Sequence, residues 1–147
     1  MRVDISNSTD ISNIIFELYG VQIKNTIRGI TTDSRNLMNG DIYIAIEGEN
    51  NDGHNYLNQV DALNASAVIV DKNKECNNLN AQIISVDDTI KAIGDIAKSY
   101  RQKFTIPIIG ITGSNGKTST KELLSSFVDV LPLDPVIPII GIVNFCL

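Results

Sequence analysis

The stretch Gly113-Ser114-Asn115-Gly116-Lys117-Thr118 gathers residue types that suit one kind of chemistry, the holding of an anion. Two glycines three apart let a backbone turn tightly, so that successive N–H groups point inward. Lys117 adds a positive charge and Thr118 a hydroxyl suited to Mg²⁺. A helix opening near Gly116 would add free N–H groups and the positive end of its dipole. The ligand that fits is a nucleotide phosphate. The long form of the phosphate-loop pattern places a further glycine five residues before Gly116, where this chain has Ile111, so only the shorter form is intact. The plain alternative is a glycine-rich turn with a surface lysine.

Elements on either side must position such a loop. Before it, Ile106, Ile108, Ile109 and Ile111 form an apolar run that predicts a buried strand. After it, a helix is expected from Gly116 to about Val128, with Leu123, Leu124 and Phe127 buried. Strand, loop and helix in this order are the context a phosphate loop requires.

Two polar clusters stand earlier in the chain. Thr31-Thr32-Asp33-Ser34-Arg35 follows the apolar Ile30, and Glu47-Gly48-Glu49-Asn50-Asn51-Asp52-Gly53-His54 follows the alternating run Ile42 to Ile46. By composition each reads as a solvated turn, in which Asp and Ser bond their own backbone. The second also carries enough amides, and glycines for close approach, to read a sugar or a base edge. His54 is the only histidine, and such a residue more often caps or packs than catalyses.

The remaining pattern is that of a small α/β unit. Ser8 or Thr9 caps a helix whose apolar positions are Ile11, Ile14, Ile15 and Leu18, with Gly20 as its stop. Val21 to Lys24 and Ile27 to Thr31 read as strands, and so do Ile42 to Ile46, Ala67 to Val70 and Gln82 to Val86. Asn55 to Leu63 reads as a helix with Tyr56, Val60 and Leu63 on one side. Lys72 to Asn80 reads as an exposed loop. Asp87 and Asp88 cap a helix with the stripe Ile90, Ile93, Ile96, Ala97 and Tyr100. Lys98, Arg101 and Lys103 collect at its end, where the dipole favours cations. Residues 1–103 thus form one unit, 104–130 begin a second, and 131–147 are an apolar tail with three prolines and one charge, Asp134. A net charge of −5 argues against general nucleic-acid binding, which wants a basic face. No long apolar span or basic-then-apolar leader is present, so a cytoplasmic protein is expected. Cys76 and Cys146 follow no metal or redox spacing.

Thr32-Asp33-Ser34-Arg35, Gly40-Asp41, Gly48 with Asp52-Gly53-His54, the Ala67–Val70 strand and Thr112 to Thr118 occur in the order seen in the Mur ligases, which this chain resembles from about Ser8 to Val128. Those are ATP-dependent amide ligases that build the peptidoglycan stem peptide. Ser114, the run Ser119 to Glu122 and the run Val86 to Asp95 look most like the branch that adds D-alanyl-D-alanine to a UDP-N-acetylmuramoyl-tripeptide. The alternatives are the branch that adds the third amino acid, or a non-catalytic UDP-sugar-binding module. The resemblance implies that the first unit binds the UDP end of the substrate, with Ser34, Glu49, Asn50 and Asn51 where family members contact uridine. Asp33, Arg35, Asp52 and Gly53 would shape the loops. The second unit would begin a doubly wound ATPase domain. There Thr112, Gly113, Ser114, Asn115, Gly116, Lys117 and Thr118 would bind ATP, Lys117 would neutralise β/γ charge, and Thr118 would meet Mg²⁺. The family's reaction runs through an acyl phosphate that the incoming dipeptide amine displaces. After Val128 the resemblance stops. A frameshift or truncation would account for the tail, and a chain of this extent is expected neither to hydrolyse ATP nor to ligate by itself.

Overall fold

The computed structural model describes residues 2–76, 78–105, 111, 113 and 115–128. It divides into two compact units, Met1–Lys103 and Phe104–Leu147.

The first unit is an α/β fold with one five-stranded sheet in the order β1-β2-β3-β4-β5. The strands are β1 (Arg2–Asp4), β2 (Gly29–Thr31), β3 (Ile42–Ile44), β4 (Ala67–Asp71) and β5 (Gln82–Val86). Strands β2 to β5 run parallel, and β1 adds to β2 antiparallel as the edge. Helices α1 (Ser8–Tyr19), α2 (Leu57–Ala62) and α3 (Thr89–Gln102) cover the faces. The period of two along each strand divides the core. Ile42, Ile44, Ala67 and Ile69 pack with α1 and α3 residues such as Ile11, Ile15, Ala92 and Ile96. Tyr43, Ala45, Val68 and Val70 pack on the other face with Leu57 and Val60 of α2. Both faces are covered, which explains the continuous apolar runs of β3 and β4.

Several local expectations are corrected. The cap of α1 is Asn7, whose side chain accepts from Thr9 and Asp10 N–H at 3.1 and 3.4 Å. Ser8 is engaged elsewhere, accepting from the Ile27 N–H at 2.8 Å. Val21 to Lys24 is not a strand. Ile23 is buried there, but its carbonyl accepts from the Ser12 hydroxyl rather than from a ladder. Strand β2 starts only at Gly29, because the Arg28 N–H is taken by the Gly40 carbonyl. The edge strand β1 has no alternating pattern to announce it. It is pinned by Arg2, whose guanidinium donates to the fully buried Asp41 carboxylate at 2.6 and 2.9 Å. In α3, capped by Asp88, the buried stripe is Thr89, Ala92 and Ile96, flanked by Ile93 and Tyr100. At roughly 100° per residue, Ile90 and Ala97 fall at the rim of that stripe, and both are exposed. Asp87 pairs with Lys72 instead of capping. Lys103 reaches Asp10 of α1 at 2.9 Å.

In the second unit α4 (Lys117–Val128) matches the expected helix. Leu123, expected to be buried, is exposed, since the unit's other described residues supply no helix or strand to cover it. The apolar run Ile106 to Gly110, Thr112, Ser114, the burial of Phe127, Cys146 and the tail lie outside the described residues.

Candidate functional site

The turns that follow β2 and β3 both end at the carboxyl edge of the parallel strands, where open α/β sheets bind ligands. The polar residues after Ile30 become a turn of 3₁₀ helix, Ser34–Asn36. Asp33 caps it, accepting from the Arg35 N–H at 3.1 Å. The Arg35 guanidinium donates to both Asp33 oxygens at 2.9 Å, and these bonds hold the Asp33 carboxyl down to about 2. Thr31 Oγ1 accepts from the Asp33 N–H at 3.0 Å. The turn is braced by its own side chains.

The second cluster is braced in the same way. Glu47 and Asp52 form a bridge across the loop, and the Gly48 N–H donates to the Asn51 carbonyl at 2.8 Å. Asp52 caps a second 3₁₀ turn, Gly53–Tyr56. Gly53 is pressed against β3: a Cβ there would stand 2.8 Å from the Ile46 nitrogen and 3.0 Å from the Tyr43 hydroxyl. Lys74 donates to Asp52 at 2.8 Å and lies 2.9 Å from Glu47. Burial alone would push the Asp52 carboxyl up, but bonds from Lys74 and His54 outweigh it and hold the group well below the usual carboxylate range.

Between these two turns lies a cavity of about 500 Å³. Thr32, Asp33, Ser34 and Arg35 form one side, Asn51, Gly53, Tyr56 and Gln59 the other, and Tyr43 and Ile46 complete the lining. Of the residues singled out for a uridine contact, Ser34 is buried and lines the cavity, as does Asn51. Glu49 and Asn50 are exposed on the loop, outside the lining. The spacing predicts Tyr56 on one side of a helix with Val60 and Leu63. Instead it closes a 3₁₀ turn and donates to Asn51 Oδ1 at 3.0 Å. The buried face of α2 is Leu57 and Val60, and Leu63 is exposed. Tyr43 and Tyr56 line the same cavity as Ser34 and Asn51, with their hydroxyls bonded to the Gly53 carbonyl and to Asn51 Oδ1. Such a cavity can stack a planar base and bond its edge. A second cavity, about 340 Å³, lies at the opposite edge of the strands. Its acidic group, Asp61, is already satisfied by Asn80 and the Ala81 N–H.

In the second unit, Gly113 and Gly116 have φ of 145° and 77°, conformations that exclude most side chains. The Lys117 ammonium folds back onto the Gly113 carbonyl. Thr118 is exposed on the first turn of α4. Among the described residues no cluster of His, Cys, Asp or Glu could hold a metal by itself. One hydroxyl beside a lysine fits a Mg²⁺ held chiefly by phosphate oxygens.

A family model described as "Mur ligase family, catalytic domain" matches residues 26–101. The UDP-N-acetylmuramoyl-tripeptide–D-alanyl-D-alanine ligase of Synechocystis is 45% identical over 100 residues, which are 68% of this chain and 22% of that protein. A solved UDP-N-acetylmuramoylalanyl-D-glutamyl-2,6-diaminopimelate–D-alanyl-D-alanyl ligase from Acinetobacter baumannii superposes with a TM-score of 0.69 at 30% identity, over 82% of this chain and 28% of that one. A MurF ligase from Thermotoga maritima, solved in complex with ADP, gives 0.57 at 28% identity, over 69% and 23%. The chain therefore spans about a fifth of the length of the curated relatives it matches.

Proposed function

The chain belongs to the Mur ligase family, and we propose that it serves in the cytoplasm as part of an ATP-dependent ligase of peptidoglycan precursor synthesis, adding D-alanyl-D-alanine to a UDP-N-acetylmuramoyl-tripeptide. The observation that carries this reading is the cavity between the turns after β2 and β3, which joins two polar clusters distant in sequence. In it Ser34 and Asn51 bond the uridine end, and the half-buried Tyr56 supplies aromatic surface. Glu49 and Asn50 stand on the exposed part of the same loop and meet the substrate beyond the base. Names of relatives support the choice of dipeptide.

The turn from Thr112 to Thr118 takes the phosphates of ATP. By the resemblance, backbone N–H groups of Ser114 to Lys117 would cradle the phosphates, Lys117 would exchange its Gly113 carbonyl for β/γ oxygens, and Thr118 would hold Mg²⁺. Bound Mg²⁺ would neutralise phosphate charge. In the whole ligase the tripeptide carboxylate would attack the γ-phosphorus and release ADP, giving an acyl phosphate, and the dipeptide amine would then attack the acyl carbon, releasing phosphate and a proton. The residues contribute positioning and charge neutralisation. Calorimetry of the purified chain with UDP-N-acetylmuramoyl-tripeptide tests the first step. Saturable heat competed by UDP is expected. No heat, or heat that UDP leaves unchanged, overturns the reading.

A further inference from the structure

His54 stands behind the cavity wall, not in it. Its side chain is only 7% exposed and is absent from the lining. Nε2 accepts from the backbone N–H of Asp71 at 3.0 Å, so that nitrogen carries no proton. Nδ1 therefore carries it and donates to Asp52 Oδ1 at 2.6 Å. The same oxygen accepts the His54 backbone N–H at 2.9 Å. Both ring nitrogens are spent, which leaves neither for a substrate.

Asp71 shows why the bond exists. Residues two apart on a strand direct their backbone groups to the same side. Ile69 uses that side to meet β3, accepting from the Ala45 N–H at 2.9 Å. Strand β3 ends at Ile44, so at Asp71 the sheet has run out of partners on that side. His54 takes the vacant place. The imidazole thereby ties the second polar loop to the end of β4, bonding Asp52 of the loop with one nitrogen and the Asp71 N–H with the other, and the loop's inner residues, Asn51 and Gly53, line the cavity.

We propose that His54 is a positioning residue for the ligand cavity: bridging the Asp71 N–H and the Asp52 carboxylate, it holds the Glu47–Gly53 loop in its binding position. The assignment of a uridine ligand rests on the function proposed above, whereas the placement of the loop does not. Only the imidazole with its proton on Nδ1 serves both partners at once.

Three measurements on the full chain separate these parts. Without ligand, long-range ¹⁵N spectra of the imidazole should show a protonated Nδ1 and a bare Nε2. In His54→Phe, which fills the space without polar atoms, the amides of Asp71, Gly48 and Gly53 should exchange at least about tenfold faster, as loss of a bond to a charged group implies. Amides of α1 and α3 should stay near their original rates. A protonated Nε2, unchanged loop amides, or uniform acceleration across the unit overturns the proposal. With UDP as the probe, His54→Phe should bind at least about tenfold more weakly. His54→Gln, whose amide can accept from Asp71, should recover much of the loss. Equal affinity of the Phe variant and the original chain, or a Gln variant no better than Phe, overturns the role. If the original chain does not bind UDP, the uridine reading fails, and the exchange rates still decide whether His54 positions the loop.

Discussion

The hydroxyl of Tyr43 donates to the carbonyl of Gly53 at 3.0 Å, and the two residues stand on opposite sides of the loop they close. Tyr43 is fixed in β3 and almost fully buried, while Gly53 opens the 3₁₀ turn. Tyr43→Phe keeps the ring and removes the bond. It should cost about 1–2 kcal/mol, because a buried carbonyl loses its partner. Urea unfolding measures the loss. The pH dependence supplies a second readout. Burial first, then the nearby charges of Asp33 and Asp52, push the Tyr43 hydroxyl up to about 12. The folded chain thus holds this proton more tightly than the unfolded chain, whose phenol titrates near about 10. Stability from this source is complete below about pH 10 and is lost as pH rises toward about 12. The gap between the original chain and Tyr43→Phe should narrow across that window. A gap that stays constant to the top of the window would show that Tyr43 is not held in this way.

Gly53 itself allows a sharper test of loop placement. A methyl group there meets backbone atoms of Ile46 at 2.8 and 3.0 Å, and backbone cannot rotate away as a side chain can. Gly53→Ala should destabilise the unit by about 1–3 kcal/mol and weaken UDP binding. Gly94→Ala is the control, since nothing lies within 4 Å of a Cβ at that helical position, and it should be neutral or slightly stabilising. Thermal unfolding of both variants decides the matter: equal midpoints would mean the Gly53 loop yields without cost.

Helix α3 shows how far apolar pattern reaches. Its existence, its Asp88 cap and its approximate length are legible, because a cap and a 3.6-residue period are local properties. Which apolar residues face the core is less so. Ile90 is 62% exposed and Ile96 only 4%, although both belong to the apolar set read from the sequence. The angular position on the helix separates them. Ile96→Ala should cost about 2–5 kcal/mol, and Ile90→Ala within about 0.5 kcal/mol of zero. Chemical denaturation of the two variants measures both.

The candidate site divides along the same line. Both polar clusters are visible as clusters, and the bracing roles of Asp33 and Asp52 follow from the habits of Asp before a turn. That the clusters face one cavity depends on the parallel pairing of β2 with β3, a non-local fact. Tyr56 was hidden because its spacing from Val60 imitates a helix face, whereas the chain forms a 3₁₀ turn there and aims the hydroxyl at Asn51. The edge strand β1 was hidden for a different reason: its anchor is the ion pair between Arg2 and Asp41, 39 residues apart.

Lys117 provides the test for the second unit. Its ammonium rests on the Gly113 carbonyl, one turn back, a contact between a charge and a single dipole. Phosphate oxygens carry full negative charge, and charge-assisted bonds to them are about twice as strong as neutral ones. The exchange of partners therefore favours nucleotide. Lys117→Ala removes the charge and leaves the positive-φ glycines Gly113 and Gly116 to shape the turn. MgATP affinity of the full chain should fall at least about tenfold, as loss of one charged bond implies. Lys117→Arg should recover little, because the broader guanidinium does not fit the place of a point charge on a phosphate. UDP affinity should be unchanged in both variants, since the described residues that line its cavity belong to the first unit. Titration calorimetry with each nucleotide in turn reads both effects, and equal loss of UDP and ATP binding would point to unfolding rather than to a lost phosphate contact.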